Sequence, residues 1–240
     1  MRTILYISLL ILAACGNNEK DRKSASGLPP FWNDIQNFKK QDSVSFPPKN
    51  SILFIGSSSF TLWKDVQNYF PGYTIINRGF GGSTLSDQVR YAHDIIFPYQ
   101  PKQIVIYCGE NDLASSDTVT AKIVFNRFKQ LYDTILNNLP YVNIIYVSMK
   151  PSPSRRHLFS KMREANVLIN DHIEMQNNFM GSRIIGEYID VYTKMLNSNG
   201  EPIPELFLED SLHMNANGYA IWQKEIQPFL LKEAAPVLQQ

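Results

Sequence analysis

Cysteine is scarce in this chain: two residues in 240, Cys15 and Cys108. A disulfide-stapled scaffold is therefore excluded. Charge of one sign is equally lacking. Lysine and arginine number 23 against 22 acidic residues, a net charge of +1. No block of like charge and no basic patch interleaved with aromatics offers a footing to nucleic acid. No long apolar run exists either. The longest, Ile4 to Ala14, is far short of the roughly 20 residues that cross a bilayer. The chain has only four histidines, and no histidine or cysteine cluster has metal-ligand spacing, so neither a metal nor another cofactor is expected. What is present is enough apolar sequence, 44% of residues, to fill the core of one domain, with no internal repeat and no sign of a second.

Arg2 followed by the short apolar stretch reads as a secretory signal over residues 1–15. It ends Leu12-Ala13-Ala14-Cys15-Gly16, which resembles the lipobox of bacterial lipoproteins. That resemblance implies export, diacylation of Cys15, and a membrane anchor facing the periplasm or the cell exterior. Two acyl chains hold a protein to a bilayer where one does not. An ordinary signal peptide with an incidental cysteine is the plainer alternative. Residues 16–46 begin with a small, polar tether to Pro30. Trp32, Ile35 and Phe38 then recur at helical spacing, and Pro47-Pro48 closes the segment. Residues 47–240 form the main domain.

Within it, strands and helices alternate. Ile52–Ile55, Thr74–Asn77, Ile104–Cys108, Asn143–Ser148 and Arg183–Asp190 are β-branched and almost continuously apolar, as strands buried on both faces are. Helices are expected over Leu85–Phe97, Ser116–Leu139 (capped by Ser116 or Asp117), Lys161–Phe179 and Ala216–Leu231, with Pro228 kinking the last. Alternation implies parallel β-α-β units and an α/β fold, a three-layer α/β/α sandwich.

Ligands of such sheets bind beyond the carboxyl ends of the strands. Gly56-Ser57-Ser58-Ser59, Gly79-Phe80-Gly81-Gly82-Ser83 and Gly109-Glu110-Asn111-Asp112 follow strands, and Asp210-Ser211-Leu212-His213 lies beyond the last. A serine hydroxyl is a weak nucleophile unless a histidine takes its proton and an acid orients that histidine. The chain offers all three, in the order Ser, Asp, His. Glycine and asparagine amides between them can stabilise a developing oxyanion. Each segment also has a plainer reading. Ser58 could cap a helix, Gly81-Gly82 could be turn glycines or cradle a phosphate, and Asn111-Asp112 could be a turn pair. Asp210 could be an N-cap. His157 is the rival base; His93 and His172 fall within helices. Cys108 reads as an inert buried thiol.

The four segments resemble the conserved blocks of the SGNH hydrolases, the GDSL-type esterases and lipases, in order and spacing, over roughly Pro47 to Leu231. The resemblance implies a flavodoxin-like five-stranded parallel sheet. It makes Ser58 the nucleophile, Asp210 and His213 the acid and base, and Ser58 N–H, Gly82 N–H and Asn111 the oxyanion hole. Ser57 stands where the family usually has aspartate; Ser58 keeps the third place of the motif.

The expected activity is a serine esterase acting on short-chain acyl esters, with O-acetyl groups on carbohydrate the favoured case, through an acyl-enzyme. The alternatives are a lysophospholipase or thioesterase on the same machinery and a catalytically silent carbohydrate-binding lipoprotein. In the Lys150–His157 loop, Arg155 and Arg156 are candidates to touch an anionic or sugar substrate, solvated charges being the plainer reading. Phe60, Trp63 and Leu85 could line an acyl or sugar subsite, with core packing the plainer reading.

Overall fold

A computed structural model describes residues 27–181 and 185–232. The signal peptide, the lipobox with Cys15 and most of the tether lie outside these described residues. The helix expected from Trp32, Ile35 and Phe38 is α1 (Trp32–Val44), with Ile35 buried. Five parallel strands follow: β1 (Ile52–Gly56), β2 (Ile75–Asn77), β3 (Gln103–Tyr107), β4 (Asn143–Val147) and β5 (Gly186–Ile189). Their order, β2-β1-β3-β4-β5, is that of the flavodoxin-like sheet, and the chain changes direction between β1 and β3.

The helices are α2 (Ser58–Thr61), α3 (Val66–Tyr69), α4 (Leu85–Arg90), α5 (Ala92–Ile95), α6 (Glu110–Ala114), α7 (Ala121–Asn138), α8 (Phe159–Phe179) and α9 (Ala216–Ile226). On one face, Phe54, Val105, Tyr107 and Val147 join Phe60, Trp63, Phe70, Tyr219 and Trp222 in a mostly aromatic core beneath α2, α3 and α9. Trp63 stacks on Tyr219 with centroids 4.7 Å apart. On the other face Leu53, Ile104, Ile106 and Ile144 are fully buried, and Phe128 of α7 meets Tyr146 of β4 edge-on at 5.0 Å.

Several expectations need correction. The helix expected over Ser116–Leu139 begins at Ala121, because Thr120 rather than Ser116 or Asp117 caps it: Thr120 Oγ1 accepts the Ile123 N–H at 3.3 Å. Within this helix Ile123 is exposed and Val124 is buried. Leu85–Phe97 divides at Tyr91, whose ring is buried edge-on against Phe80. The last helix ends at Ile226, before the turn Gln227–Phe229 that carries Pro228. The fifth strand starts at Gly186, and Cys108 lies just past the end of β3, buried. Phe60, Trp63 and Leu85 are core residues with no exposed surface, which removes them as subsite lining.

Candidate active site

The loop after β1 is shaped by close approach of two backbones. Gly56 has φ +143°, and a Cβ there would sit 1.9 Å from the Tyr107 carbonyl oxygen. Only glycine fits. Ser57 donates its N–H to that carbonyl at 3.1 Å, and its own carbonyl accepts from Phe60 N–H and Thr61 N–H. Ser58 therefore becomes the first residue of α2, with its N–H among those a helix leaves without an internal acceptor. Ser57, not Ser58, is the N-cap residue. Ser57 and Ser59 are 4% and 1% exposed, whereas Ser58 is half-buried.

The imidazole reaches it from the far end of the chain. His213 Nε2 lies 3.0 Å from Ser58 Oγ, and its Nδ1 lies 2.5 Å from Asp210 Oδ2. Asp210 does not cap α9; Asn215 does. Asp210 instead folds its own loop, its Oδ1 accepting the N–H groups of Leu212 and His213, each at 2.9 Å. Partial desolvation would raise the Asp210 carboxyl. The His213 and Leu212 amides and the imidazole outweigh that and hold it at about 2, so it is anionic at any ordinary pH. The loop also contains Ser211 at φ +54°, an uncommon conformation for a residue with a Cβ. Its carbonyl accepts the Ser154 N–H at 3.1 Å, tying this loop to the one after β4. The Tyr219 hydroxyl donates to the Ser59 carbonyl at 2.8 Å, linking α9 to α2.

The second segment wraps the same turn. Phe80 N–H donates to the Gly56 carbonyl at 2.9 Å, and Asn77 Nδ2 donates to the Phe60 carbonyl at 2.7 Å. Gly82 has φ +82°, and a Cβ on its neighbour Gly81 would come 3.8 Å from Ser58 Cβ. Backbone amides can thus approach the serine closely. Asn111, at the start of α6, donates its Nδ2 to the Ser83 carbonyl at 3.1 Å. Asp112 has a different job. Its carboxylate accepts Leu85 N–H and pairs with Arg127, both at 3.0 Å, joining the second segment to the third. Burial lifts its pKa to about 6 despite those partners.

Sequence reasoning missed a buried charge network behind Asn111. Glu110 Oε2 meets Lys150 Nζ at 2.9 Å and the Tyr107 hydroxyl at 2.5 Å, and Glu110 Oε1 accepts from Ser152 at 3.1 Å. Burial would raise the Glu110 carboxyl, but Lys150, Arg155 and Tyr107 hold it below the usual range. The Tyr107 hydroxyl is pushed well up by burial and by Glu110, so it stays a donor. The only local signal was a charge at the end of each of two apolar strands.

Of the two loop arginines, Arg155 turns inward to Glu110 and Asn111, while Arg156 pairs with Glu201 at the surface. His157 is exposed, and His172 is buried among Phe125, Phe128 and Tyr132, where desolvation lowers its pKa. The histidine against Ser58 is His213. Among the described residues no three His, Cys, Asp or Glu side chains gather as a metal site requires.

A model of the GDSL-like lipase/acylhydrolase family matches residues 56–221. No curated protein matches the chain. Several solved structures share its fold. A candidate acylhydrolase from Bacteroides fragilis aligns with TM-score 0.70 at 18% identity, covering 82% of this chain and 96% of the other. A GDSL-like lipase from Bacteroides thetaiotaomicron aligns with TM-score 0.65 at 18% identity, covering 81% and 96%. An acetylxylan esterase from Geobacillus stearothermophilus, a catalytic mutant, aligns with TM-score 0.58 at 15% identity, covering 76% and 94%.

Proposed function

The chain belongs to the GDSL-like lipase/acylhydrolase family and is an ester hydrolase, and on that premise we propose that it cleaves short-chain acyl esters, with O-acetyl groups on carbohydrate as the favoured substrate class. The observation that carries the mechanism is the 3.0 Å contact between Ser58 Oγ and His213 Nε2, with Asp210 2.5 Å behind the ring. Asp210 accepts a hydrogen bond from Nδ1–H, which keeps that proton on Nδ1 and leaves Nε2 free as base. Ser58 Oγ attacks the acyl carbon as its proton passes to His213. The carbonyl oxygen becomes an oxyanion facing Ser58 N–H, Gly82 N–H and Asn111 Nδ2. The intermediate collapses, and His213 returns the proton to the departing alcohol oxygen. Water, deprotonated by the same imidazole, then attacks the acyl-serine, and the acid leaves as His213 returns that proton to Ser58 Oγ.

Two points favour a short acyl group. Phe60 and Trp63, which follow the serine in sequence, are wholly buried in the core and line no acyl channel. One structural neighbour is an acetylxylan esterase. A series of nitrophenyl esters tests the claim: turnover should be highest for acetyl and fall with chain length. Preference for eight or more carbons would overturn it in favour of a lysophospholipase or thioesterase. Failure of folded protein to react with an organophosphonate probe would favour a silent carbohydrate-binding role.

Asn111→Ala should lower kcat by about 10²–10³ with KM little changed, the cost of one lost oxyanion donor. A tenfold rise in KM at unchanged kcat would make it a binding residue instead.

The reading extends to the N-terminus, where Leu12-Ala13-Ala14-Cys15 supports a lipid-anchored, exported enzyme working at a membrane surface. Cys15→Ser should move the protein from the membrane fraction to the soluble fraction. Undiminished membrane association of that variant would defeat the anchor.

A further inference from the structure

The loop after β4 sends a side chain to Asn111. We propose that Arg155 is a positioning residue for the oxyanion amide: it holds Asn111 Oδ1 and thereby turns Asn111 Nδ2 toward the reacting carbonyl. The inference rests on the reading of Asn111 as an oxyanion donor.

The two ends of an asparagine carboxamide are nearly the same size, and a half-turn about the terminal bond exchanges them. Only their partners decide which end faces where. Arg155 Nη2 lies 3.1 Å from Asn111 Oδ1, and the Ser83 carbonyl lies 3.1 Å from Asn111 Nδ2. A guanidinium can only donate and a carbonyl can only accept. Both contacts therefore select the same orientation. One Nδ2 hydrogen goes to Ser83, and the second remains for an oxyanion. In the reversed orientation Oδ1 would meet the Ser83 carbonyl, and an acceptor would face the developing negative charge.

Arg155 can do this only because it is itself held. Its Nη1 donates to the Glu110 carbonyl at 2.9 Å, and its Nε lies 3.5 Å from Glu110 Oε1. Glu110 cannot shift, since Lys150, Tyr107 and Ser152 occupy its carboxylate. The planar fork of the guanidinium spans Glu110 and Asn111 together, a geometry that a lysine ammonium does not reproduce. The buried pair Glu110–Lys150 thus acts as an anchor two contacts removed from Asn111.

Arg155→Met keeps the aliphatic stem and removes the donors. It should lower kcat for nitrophenyl acetate about tenfold, roughly one charge-assisted hydrogen bond in the transition state, with KM within threefold of wild type. Arg155→Lys keeps the charge without the fork and should stay impaired at least fivefold. In an Asn111→Ala background Arg155→Met should cost less than twofold more, because its effect passes through the amide already removed. Wild-type kcat in Arg155→Met would overturn the proposal, and so would full recovery in Arg155→Lys. A KM rise with undiminished kcat, or an additive loss in the double variant, would assign Arg155 to direct substrate contact and equally overturn it. Thermal melts establish folding; if Arg155→Met does not fold, Arg155→Lys alone and in the Asn111→Ala background makes the same comparison. Ser58→Ala separates the two readings. Turnover surviving in it defeats the serine mechanism itself, whereas an inactive Ser58→Ala beside a fully active Arg155→Met defeats only the positioning role.

Discussion

Ser58→Ala should reduce ester turnover by on the order of 10⁶-fold, the loss expected when the nucleophile of a serine triad is removed. Nothing else in the site can take over. Ser57 and Ser59 flank it in sequence but are buried, at 4% and 1% exposure, and the imidazole contact at 3.0 Å is to Ser58 alone among the three. The substitution leaves Nε2 of a half-buried His213 to be satisfied by water, so stability should change by less than about 1 kcal/mol. Nitrophenyl acetate hydrolysis, phosphonate labelling followed by intact mass, and a thermal melt measure all three quantities on one preparation. Retained activity, with loss in Ser57→Ala or Ser59→Ala, would move the nucleophile by one residue.

The second large effect is on folding. Gly56→Ala would put a methyl group 1.9 Å from the Tyr107 carbonyl oxygen, on a residue at φ +143°. The obstructing atom is backbone of the adjacent central strand, paired at this very register with Gly56, so no side-chain rotation relieves the clash. Separating β1 from β3 would also break the Ser57 N–H bond to the same carbonyl. A cost above about 4 kcal/mol is expected, against a typical domain stability of about 5–15 kcal/mol. Little or no folded protein should accumulate, and activity should vanish through unfolding rather than chemistry. Gly200→Ala is the control. It also has positive φ, +76°, but nothing lies within 4 Å of the added carbon, so only the backbone strain of about 1–3 kcal/mol applies. A Gly56→Ala protein melting within a few degrees of wild type would contradict this account of the turn.

The strands and their roles were readable because their signal is local. Ile52–Ile55 and Ile104–Ile106 are unbroken apolar runs with β-branched residues, and burial on both faces demands that composition. Helix starts were less readable because several residues could cap. Ser116, Asp117 and Thr120 are all suitable, and the choice falls to tertiary contacts. Lys161 Nζ binds the carbonyls of Asp117 and Val119 at 2.8 and 2.9 Å and holds that stretch as a turn. The meeting of Ser58, Asp210 and His213 could be anticipated from the order of the blocks, since strand ends converge whatever lies between them. The partners of Asn111 could not. Arg155 and Asn111 are 44 positions apart, and nothing near either residue encodes the other. Asp112 misleads in the same way: beside Asn111 in sequence, it faces Leu85 and Arg127 instead.

The imidazole that contacts Ser58 sits 155 positions downstream of it, on the loop that leads into α9, the helix capped by Asn215. A ribosome must therefore pass all five strands before this imidazole exists. Until then Ser58 lacks the imidazole it meets in the folded chain, so the contact is made by the assembled domain and by no local segment.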